Sequence, residues 1–164
     1  MLVLDVDGVL TDGSLYLGDN GVEYKAFYSR DGHGLKLLMA SGVQVAVITG
    51  RRSQVVAERM AALGVTHVYQ GEERKGPVLE ALLEALALEP EQAAYVGDDL
   101  VDLPAMARCG LAIAVADADP RVMRSAQFTT RNAGGRGAVR EVCELILDAQ
   151  GNLHAALAPW LGAP

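Results

Sequence analysis

Five polar positions spread along the chain carry carboxylate, hydroxyl and ammonium groups that could act together. Asp5 and Asp7 follow the first apolar run and are followed at once by glycine. Thr49 opens a Thr-Gly-Arg stretch after a second apolar run, and Asp98 stands in a Gly-Asp-Asp stretch after a third. Lys75 begins a helical pattern. One such position alone would be weak evidence, whereas several that a fold can bring together indicate a site.

The combination of carboxylates with a lysine predicts a site for a cation and an anion together. Oxygen ligands from Asp5 and Asp98 suit a hard cation such as Mg²⁺. Lys75 and the backbone N–H groups near Gly8 and Gly50 suit an anion. A carboxylate, a Mg²⁺ ion and a lysine around a phosphate suit phosphoryl transfer to an aspartate. A second carboxylic acid nearby would protonate the leaving oxygen and later activate water.

Other chemistries fit these stretches less well. An EF-hand fails because the calcium-binding loop positions five and twelve would be Val9 and Tyr16. The stretch GEERKGP lacks the Gly-Lys-Ser/Thr order of a P-loop, and the histidines show no metal-ligand spacing. Taken alone, Lys75 would be a solvated lysine and the Asp98–Asp99 pair a helix cap. The assignment therefore depends on the residues acting together.

The elements that must position these residues alternate between strands and helices. The predicted strands are MLVLDV from Met1, GVQVAVITG from Gly42, HVYQG from His67, QAAYVGDD from Gln92 and LAIAVADA from Leu111. The predicted helices are DGHGLKLLMASG, SQVVAERMAALG (N-cap Ser53), GPVLEALLEALAL, LVDLPAMARCG and GAVREVCELILDA, with Gly42 and Gly64 as stops. This alternation predicts a doubly wound, Rossmann-like α/β fold, a parallel sheet flanked by helices. Ligands of such sheets bind beyond the carboxyl ends of the strands.

Two segments lie outside the alternation. SLYLGDNGVEYKAFY, within residues 13–28, has period-two patterning around a Gly-Asp-Asn-Gly turn, which predicts a protruding β-hairpin after the first strand. The C-terminal tail, residues 150–164, is apolar but rich in Gly and Pro. It is expected to be a flap, a docking arm or a loose end. No interdomain linker is evident, so residues 1–164 are expected to form one domain.

Composition excludes several classes of protein. The chain has 164 residues, of which 51% are hydrophobic and 21% charged, as in a globular domain. The net charge of −7 and the scattered arginines argue against nucleic-acid binding. Cys109 and Cys143 lie far apart and predict reduced thiols in a cytoplasmic protein. No signal peptide and no apolar run long enough for a membrane span are apparent, so no membrane partner is expected.

In order along the chain, these stretches resemble the four motifs of the haloacid dehalogenase superfamily of phosphatases. DVDGVLTDG resembles the first motif, ITGR the second, Lys75 the third and GDDLVD the fourth. The resemblance implies that Asp5 is the nucleophile, which forms an aspartyl-phosphate, and that Asp7 is the general acid and base. It also implies that Thr49 and Gly50 bind the phosphate, and that Lys75 steadies Asp5 and the transferred oxygens.

The same resemblance implies a Mg²⁺ cofactor and its ligands. The implied ligands are Asp5, the backbone carbonyl of Asp7, and Asp98. Asp102 would be a supporting carboxylate.

The spacing of the motifs leaves no room for a cap domain. Only the hairpin and one helix fit between Asp7 and Thr49, and only a helix and a strand between Thr49 and Lys75. FYSRDGHGLKLLMASG, ITGRRS, GDDLVDLPAM and NAGGRGAVREVCELIL resemble the uncapped, tetrameric branch that dephosphorylates 3-deoxy-D-manno-octulosonate 8-phosphate in lipopolysaccharide sugar synthesis. This resemblance implies a homotetramer in which a neighbour covers each active site. The segment from Gly134 onward is expected to approach a neighbour's site.

The resemblance implies a substrate but leaves alternatives. Arg51 occupies a position where the octulosonate branch tends to carry arginine and sister enzymes an acidic residue. Arg59 falls where the family places an arginine that faces the sugar carboxylate. One alternative is a phosphatase for a nonulosonate 9-phosphate. Another is a non-catalytic tetramerisation module of a nucleotide-sugar synthase, although such modules often lose the catalytic carboxylates that are present here.

Overall fold

The computed structural model describes residues 1–162 and has eight strands and seven α-helices within that range. The strands are β1 (Leu2–Leu4), β2 (Tyr16–Leu17), β3 (Glu23–Tyr24), β4 (Val45–Thr49), β5 (His67–Gln70), β6 (Ala94–Gly97), β7 (Leu111–Ala114) and β8 (Phe128–Thr129). The helices are α1 (Ser29–Ala40), α2 (Gln54–Leu63), α3 (Lys75–Ala85), α4 (Leu103–Met106), α5 (Pro120–Ser125), α6 (Ala138–Ala149) and α7 (Leu153–Leu157). Short 3₁₀ turns lie at Pro90–Gln92, Leu100–Asp102 and Ala158–Trp160.

Six strands form one parallel sheet in the order β5-β4-β1-β6-β7-β8. The chain leaves β1 towards one edge through β4 and β5, then returns to β6 on the other side of β1. This reversal is the switch point of a doubly wound sheet, and the fold class predicted from sequence is confirmed. The carboxyl ends of β1, β4 and β6 therefore border one crevice.

The strands nearest the crevice are buried because their residues are apolar on both faces. Every residue of β1, β4 and β6 is buried. Helix α1 packs against α2, α6 and α7, while α3 packs against α4 and α4 against α5. Burial on both faces explains why these strands are near-continuous apolar runs rather than alternating patterns.

Local signals place several helix ends where the sequence predicts them. Ser53 caps α2 and accepts a hydrogen bond of 3.5 Å from the Val56 N–H. Gly64 ends the same helix with φ of 87°, a conformation that favours glycine. The predicted helix LVDLPAMARCG is shorter than expected, with a 3₁₀ turn followed by the single turn of α4. Helix α5 and strand β8 are additions that the sequence analysis did not predict.

The predicted hairpin is present as a separate two-stranded sheet. Strands β2 and β3 pair antiparallel, with Tyr16 opposite Tyr24 and Leu17 opposite Glu23. Its large apolar side chains are exposed; they are Leu15, Tyr16, Leu17, Val22 and Tyr24. An isolated two-stranded hairpin is marginally stable in water, so this one depends on contacts with the rest of the protein or with a partner.

The tail folds back on the first helix. Helix α7 packs against α1, and the ring of Trp160 meets that of His33 edge to face at 4.9 Å. Residues 163 and 164 of the predicted tail lie outside the described residues. Within residues 1–162, every helix is too short or too polar to cross a membrane.

A buried carboxylate joins helices α1 and α6. Asp31 is 1% exposed and accepts hydrogen bonds from the backbone N–H groups of Gly137 (3.3 Å) and Arg140 (2.8 Å). These are donors of the first turn of α6, which has no capping side chain of its own. Asp31 thus supplies from another helix the acceptor that a local N-cap residue would normally provide.

We expect Asp31→Asn to lower the free energy of unfolding by about 1–2 kcal/mol, because one of the two N–H groups would lose its acceptor. The exposed Asp148 on α6 provides the control: Asp148→Asn should change stability by less than about 0.5 kcal/mol. Urea denaturation measures both. Equal stability of Asp31→Asn and the unaltered protein would contradict the role given to Asp31.

Candidate active site

Four elements bring predicted site residues to the carboxyl edge of the sheet. Asp5 directly follows β1, and Thr49 is the last residue of β4. Asp98 directly follows β6, and Lys75 is the first residue of α3. Because β1 lies between β4 and β6, these positions meet at the switch point.

A buried lysine lies between two carboxylates. Lys75 Nζ is 2.9 Å from Asp5 Oδ1 and donates a hydrogen bond of 2.7 Å to Asp102 Oδ1. The Lys75 side chain is 2% exposed, and Asp102 is fully buried. An unpaired buried charge is strongly destabilising, so the ammonium can be buried here because both carboxylates face it.

Asp102 is surrounded by hydrogen-bond donors. Its Oδ1 accepts from Lys75 and from the Tyr95 hydroxyl at 2.9 Å. Its Oδ2 accepts from the backbone N–H groups of Asp98 at 3.0 Å and Asp99 at 3.3 Å. Both carboxylate oxygens are thus engaged. These contacts indicate that Asp102 orients Lys75 and the chain after β6, in agreement with a supporting carboxylate.

A cluster of carboxylate oxygens around Lys75 fits a divalent cation. Oxygens of Asp5, Asp98 and Asp102 lie within 4.8 Å of one another. Asp98 Oδ1 is buried and accepts no hydrogen bond from residues 1–162, and Asp5 Oδ1 has only the nearby ammonium without hydrogen-bond geometry. Buried acceptors without donors are costly unless an ion or water binds them. A hard cation such as Mg²⁺ matches this all-oxygen set.

Burial and mutual repulsion change the protonation of the cluster. Burial, together with the charge of Asp102, raises the pKa of Asp5 to about 6. Burial and the charges of Asp102 and Asp5 raise the pKa of Asp98 to about 8. Burial alone would lower the pKa of Lys75, but the two facing carboxylates outweigh it and raise that pKa above its usual value. In the absence of a cation, the cluster therefore holds protons that a cation would displace.

These pKa shifts predict how pH and Mg²⁺ change stability. A raised pKa of Asp98 means that the folded protein binds that proton more tightly than the unfolded chain. The stabilisation that this bound proton gives the folded protein is therefore lost as pH rises towards and through about 8. Mg²⁺ binds the deprotonated form and should restore stability most at high pH.

Differential scanning fluorimetry at pH 6 and 8, with Mg²⁺ or a chelator, measures this effect. We expect Mg²⁺ to raise the Tm more at pH 8 than at pH 6. Asp98→Asn should remove most of the Mg²⁺ effect and weaken the loss of stability with pH in chelator. An equal rise in Tm for Asp98→Asn and the unaltered protein would contradict a cation site at Asp98.

Asp7 lies in a different charge cluster, which includes two residues of the hairpin. Its Oδ1 accepts a hydrogen bond from Lys25 Nζ, and its Oδ2 is 3.8 Å from Arg51 Nε. Glu23 completes the cluster, 3.5 Å from the Lys25 ammonium and 3.3 Å from the Arg51 guanidinium. Sequence analysis missed Lys25 and Glu23, because an isolated lysine or glutamate in a hairpin has the pattern of a solvated residue.

Three other predicted site residues, Thr49, Gly50 and Arg59, differ in how far they are buried and in what they contact. Thr49 is buried at the end of β4, whereas Gly50 is exposed, with no atom within 4 Å of where a Cβ would lie. The Arg59 guanidinium lies over the Phe27 ring at 5.9 Å, and its Nε is buried without a hydrogen-bond partner in the described residues. Their predicted roles with phosphate and sugar remain predictions.

A cleft lies between the hairpin and the loop that follows β4. Its volume is about 500 Å³. Hairpin residues Leu17, Val22 and Glu23 line one side, and Arg51 and Arg52 line the other. The cleft therefore has apolar and charged side chains in its lining, and it shares Glu23 and Arg51 with the charge cluster around Asp7.

Two glycines allow close contacts of the loop that follows β1. Gly8 has φ of 94°, and a Cβ there would lie 2.0 Å from Asp98 Oδ2. A Cβ at Gly134 would lie 1.7 Å from the Gly8 carbonyl oxygen, and Arg136 forms an ion pair of 3.1 Å with Asp12. The segment from Gly134 thus packs on this chain's own acidic loop. Its expected approach to a neighbour's site remains a prediction.

Comparison with known proteins agrees with this geometry. The haloacid dehalogenase-like hydrolase family matches residues 30–110. The chain is 55% identical to 3-deoxy-D-manno-octulosonate 8-phosphate phosphatase KdsC of Escherichia coli (strain K12) over 156 residues, which is 95% of this chain and 83% of that protein. The corresponding phosphatase of Yersinia pestis is 52% identical, with a TM-score of 0.92 over 93% of this chain and 83% of that one.

A third relative is a crystal structure with ligands. It is the phosphatase of Moraxella catarrhalis in complex with a magnesium ion, a phosphate ion and a KDO molecule. It is 43% identical, with a TM-score of 0.95 over 97% of this chain and 91% of that one. The chain belongs to the haloacid dehalogenase-like hydrolases, in the family of 3-deoxy-D-manno-octulosonate 8-phosphate phosphatases. The resemblance seen in the four motifs and the predicted class of enzyme, a phosphoric monoester hydrolase, are confirmed.

Proposed function

We propose that this chain hydrolyses 3-deoxy-D-manno-octulosonate 8-phosphate to the free sugar acid and phosphate, with Mg²⁺ as cofactor, in lipopolysaccharide sugar biosynthesis. The observation that carries the proposal is the close grouping of Asp5, Lys75 and the half-buried Asp98, because it would supply a nucleophile, a cation and a metal site within one crevice. Relatives with this activity align with 95% of the chain.

The proposed reaction has two steps. Asp5 attacks the phosphorus and forms an aspartyl-phosphate, while the bond from phosphorus to the sugar oxygen breaks and Asp7 gives that oxygen a proton. Asp7 then takes a proton from the water that attacks the aspartyl-phosphate, which releases phosphate and restores Asp5. Lys75, whose ammonium is 2.9 Å from Asp5 Oδ1, would stabilise the negative charge that develops on the transferred oxygens.

The remaining roles follow from the same proposal. Thr49 and Gly50 would hold phosphate oxygens at the end of β4. Asp5, the Asp7 backbone carbonyl and Asp98 would hold Mg²⁺, which supplies charge neutralisation between the anionic nucleophile and the anionic phosphate. Arg51, at the cleft, would bind the sugar acid. Arg59 has a buried Nε without a partner in the described residues, which suits a second contact with the sugar carboxylate.

The nucleophile gives the sharpest test of the reaction. Asp5→Asn should lower kcat by at least about a thousandfold on octulosonate 8-phosphate with Mg²⁺, because an amide does not form the acyl phosphate. Asp148→Asn, an exposed and distant substitution of the same kind, should retain activity. Phosphate release measures both. A fully active Asp5→Asn enzyme would overturn the mechanism, and higher kcat/KM on a nonulosonate 9-phosphate would overturn the substrate.

We further propose that the chain forms a homotetramer in which a neighbour covers each site. The exposed apolar residues of the hairpin support this, since such a patch on a short open sheet favours pairing with another copy. The cytoplasm is proposed as its compartment, because Cys109 and Cys143 are free thiols, as in a reducing environment.

Disrupting the hairpin surface tests the assembly. The double substitution Leu17→Asp, Tyr24→Lys should convert the tetramer into smaller species, because it replaces two exposed apolar side chains with charges. Sedimentation velocity measures the species present. A monomeric unaltered protein, or a double variant that remains tetrameric, would contradict assembly through the hairpin.

A further inference from the structure

Lys25 is a buried lysine outside the set of residues that the motifs identify. Its side chain is 1% exposed, although it follows β3 in a hairpin whose other large side chains are mostly exposed. Lysine is almost never fully buried unless it is paired. Here its ammonium contacts two carboxylates, those of Asp7 and Glu23.

The alternation of the hairpin strand explains this placement. Side chains two residues apart on a strand point to the same side, and the residue between them points to the other. Glu23 and Lys25 share the side that faces the acidic loop, while Tyr24 between them is 64% exposed. The Glu23 carboxylate also contacts Arg51, which lies in the loop between β4 and α2. The hairpin is thus attached to the site by its charged side.

Each of the two catalytic carboxylates in the proposed mechanism has its own lysine. Lys75 faces Asp5, and Lys25 faces Asp7. Lys25 occupies only Oδ1 of Asp7. Oδ2 accepts no side-chain hydrogen bond from the described residues, and the Arg51 Nε is 3.8 Å from it, beyond a direct hydrogen bond. Oδ2 is therefore the oxygen left available for proton transfer.

We propose that Lys25 is a positioning residue that holds Oδ1 of Asp7, so that Oδ2 faces the leaving oxygen of the substrate. This inference rests on the proposed function, in which Asp7 transfers the proton. The hydrogen bond fixes rotation of the Asp7 carboxylate, which would otherwise turn about its side-chain bonds. A small misplacement of such a group can lower a rate by about a hundredfold.

The choice of leaving group separates this role from a general structural one. The leaving group of a sugar phosphate is the sugar oxygen, which needs the proton from Asp7 to leave as an alcohol when its bond to phosphorus breaks. The leaving group of acetyl phosphate is acetate, which takes the bonding electron pair and needs no proton. For both substrates kcat/KM reports only the steps up to formation of the aspartyl-phosphate, so later activation of water does not enter the comparison.

We expect Lys25→Met to lower kcat/KM for octulosonate 8-phosphate by about 10- to 100-fold and for acetyl phosphate by less than about threefold. Lys36→Met, at an exposed lysine on α1, is the matched control and should change neither value. Lys25→Arg should recover part of the loss on the sugar phosphate. In an Asp7→Asn background, Lys25→Met should cause no further loss on that substrate, because the residue acts through Asp7.

Other outcomes would overturn the inference. Equal losses on both substrates would make Lys25 a ligand of the phosphoryl group or a general structural residue, and no loss on either would give it no role. If Lys25→Met does not fold by circular dichroism, Lys25→Gln carries the same comparison. If the unaltered enzyme fails on octulosonate 8-phosphate but hydrolyses another alkyl phosphate, the proposed function fails, and that alkyl phosphate replaces it in the test of Lys25.

Discussion

The burial of the Lys75 ammonium between Asp5 and Asp102 is the interaction on which the site depends. Removing an ion from water is expensive, so a buried lysine requires facing carboxylates at short distance. Three carboxylates nevertheless share this pocket with one ammonium, and Asp98 is left with a buried oxygen that no donor among the described residues reaches. The raised pKa values of Asp5 and Asp98 express the same imbalance. A divalent cation resolves it.

The sheet topology makes this concentration of charge possible. Asp5 and Asp98 follow neighbouring parallel strands, and Gly8, with its positive φ, leaves room for the Asp98 carboxylate beside the loop after β1. Helix α3 begins with Lys75, which brings the ammonium to the same edge. The second charge cluster, around Asp7, is built differently, because half of it comes from the hairpin. The cluster around Asp5 is thus held by the buried sheet, whereas the cluster around Asp7 depends on the small, solvent-exposed hairpin.

Sequence reasoning predicted what depends on local pattern. Buried parallel strands have apolar runs, so their carboxyl ends and the acidic residues there could be placed without a structure. Contacts between distant side chains have no such signal: Asp31 capping α6, Tyr95 donating to Asp102 and Lys25 pairing with Asp7 all join residues far apart or in different elements. Short elements such as α5 and β8 were missed because they contain too few residues to show a period.

In the proposed reaction, Asp5, held by Lys75, takes the phosphoryl group from the substrate. Borohydride reduction of the acid-quenched enzyme during turnover measures this directly, since an aspartyl-phosphate is reduced to homoserine. We expect homoserine at position 5 in the peptide mass spectrum, and its formation should require both substrate and Mg²⁺. Rapid turnover with an unmodified Asp5, or homoserine at another aspartate, would contradict it.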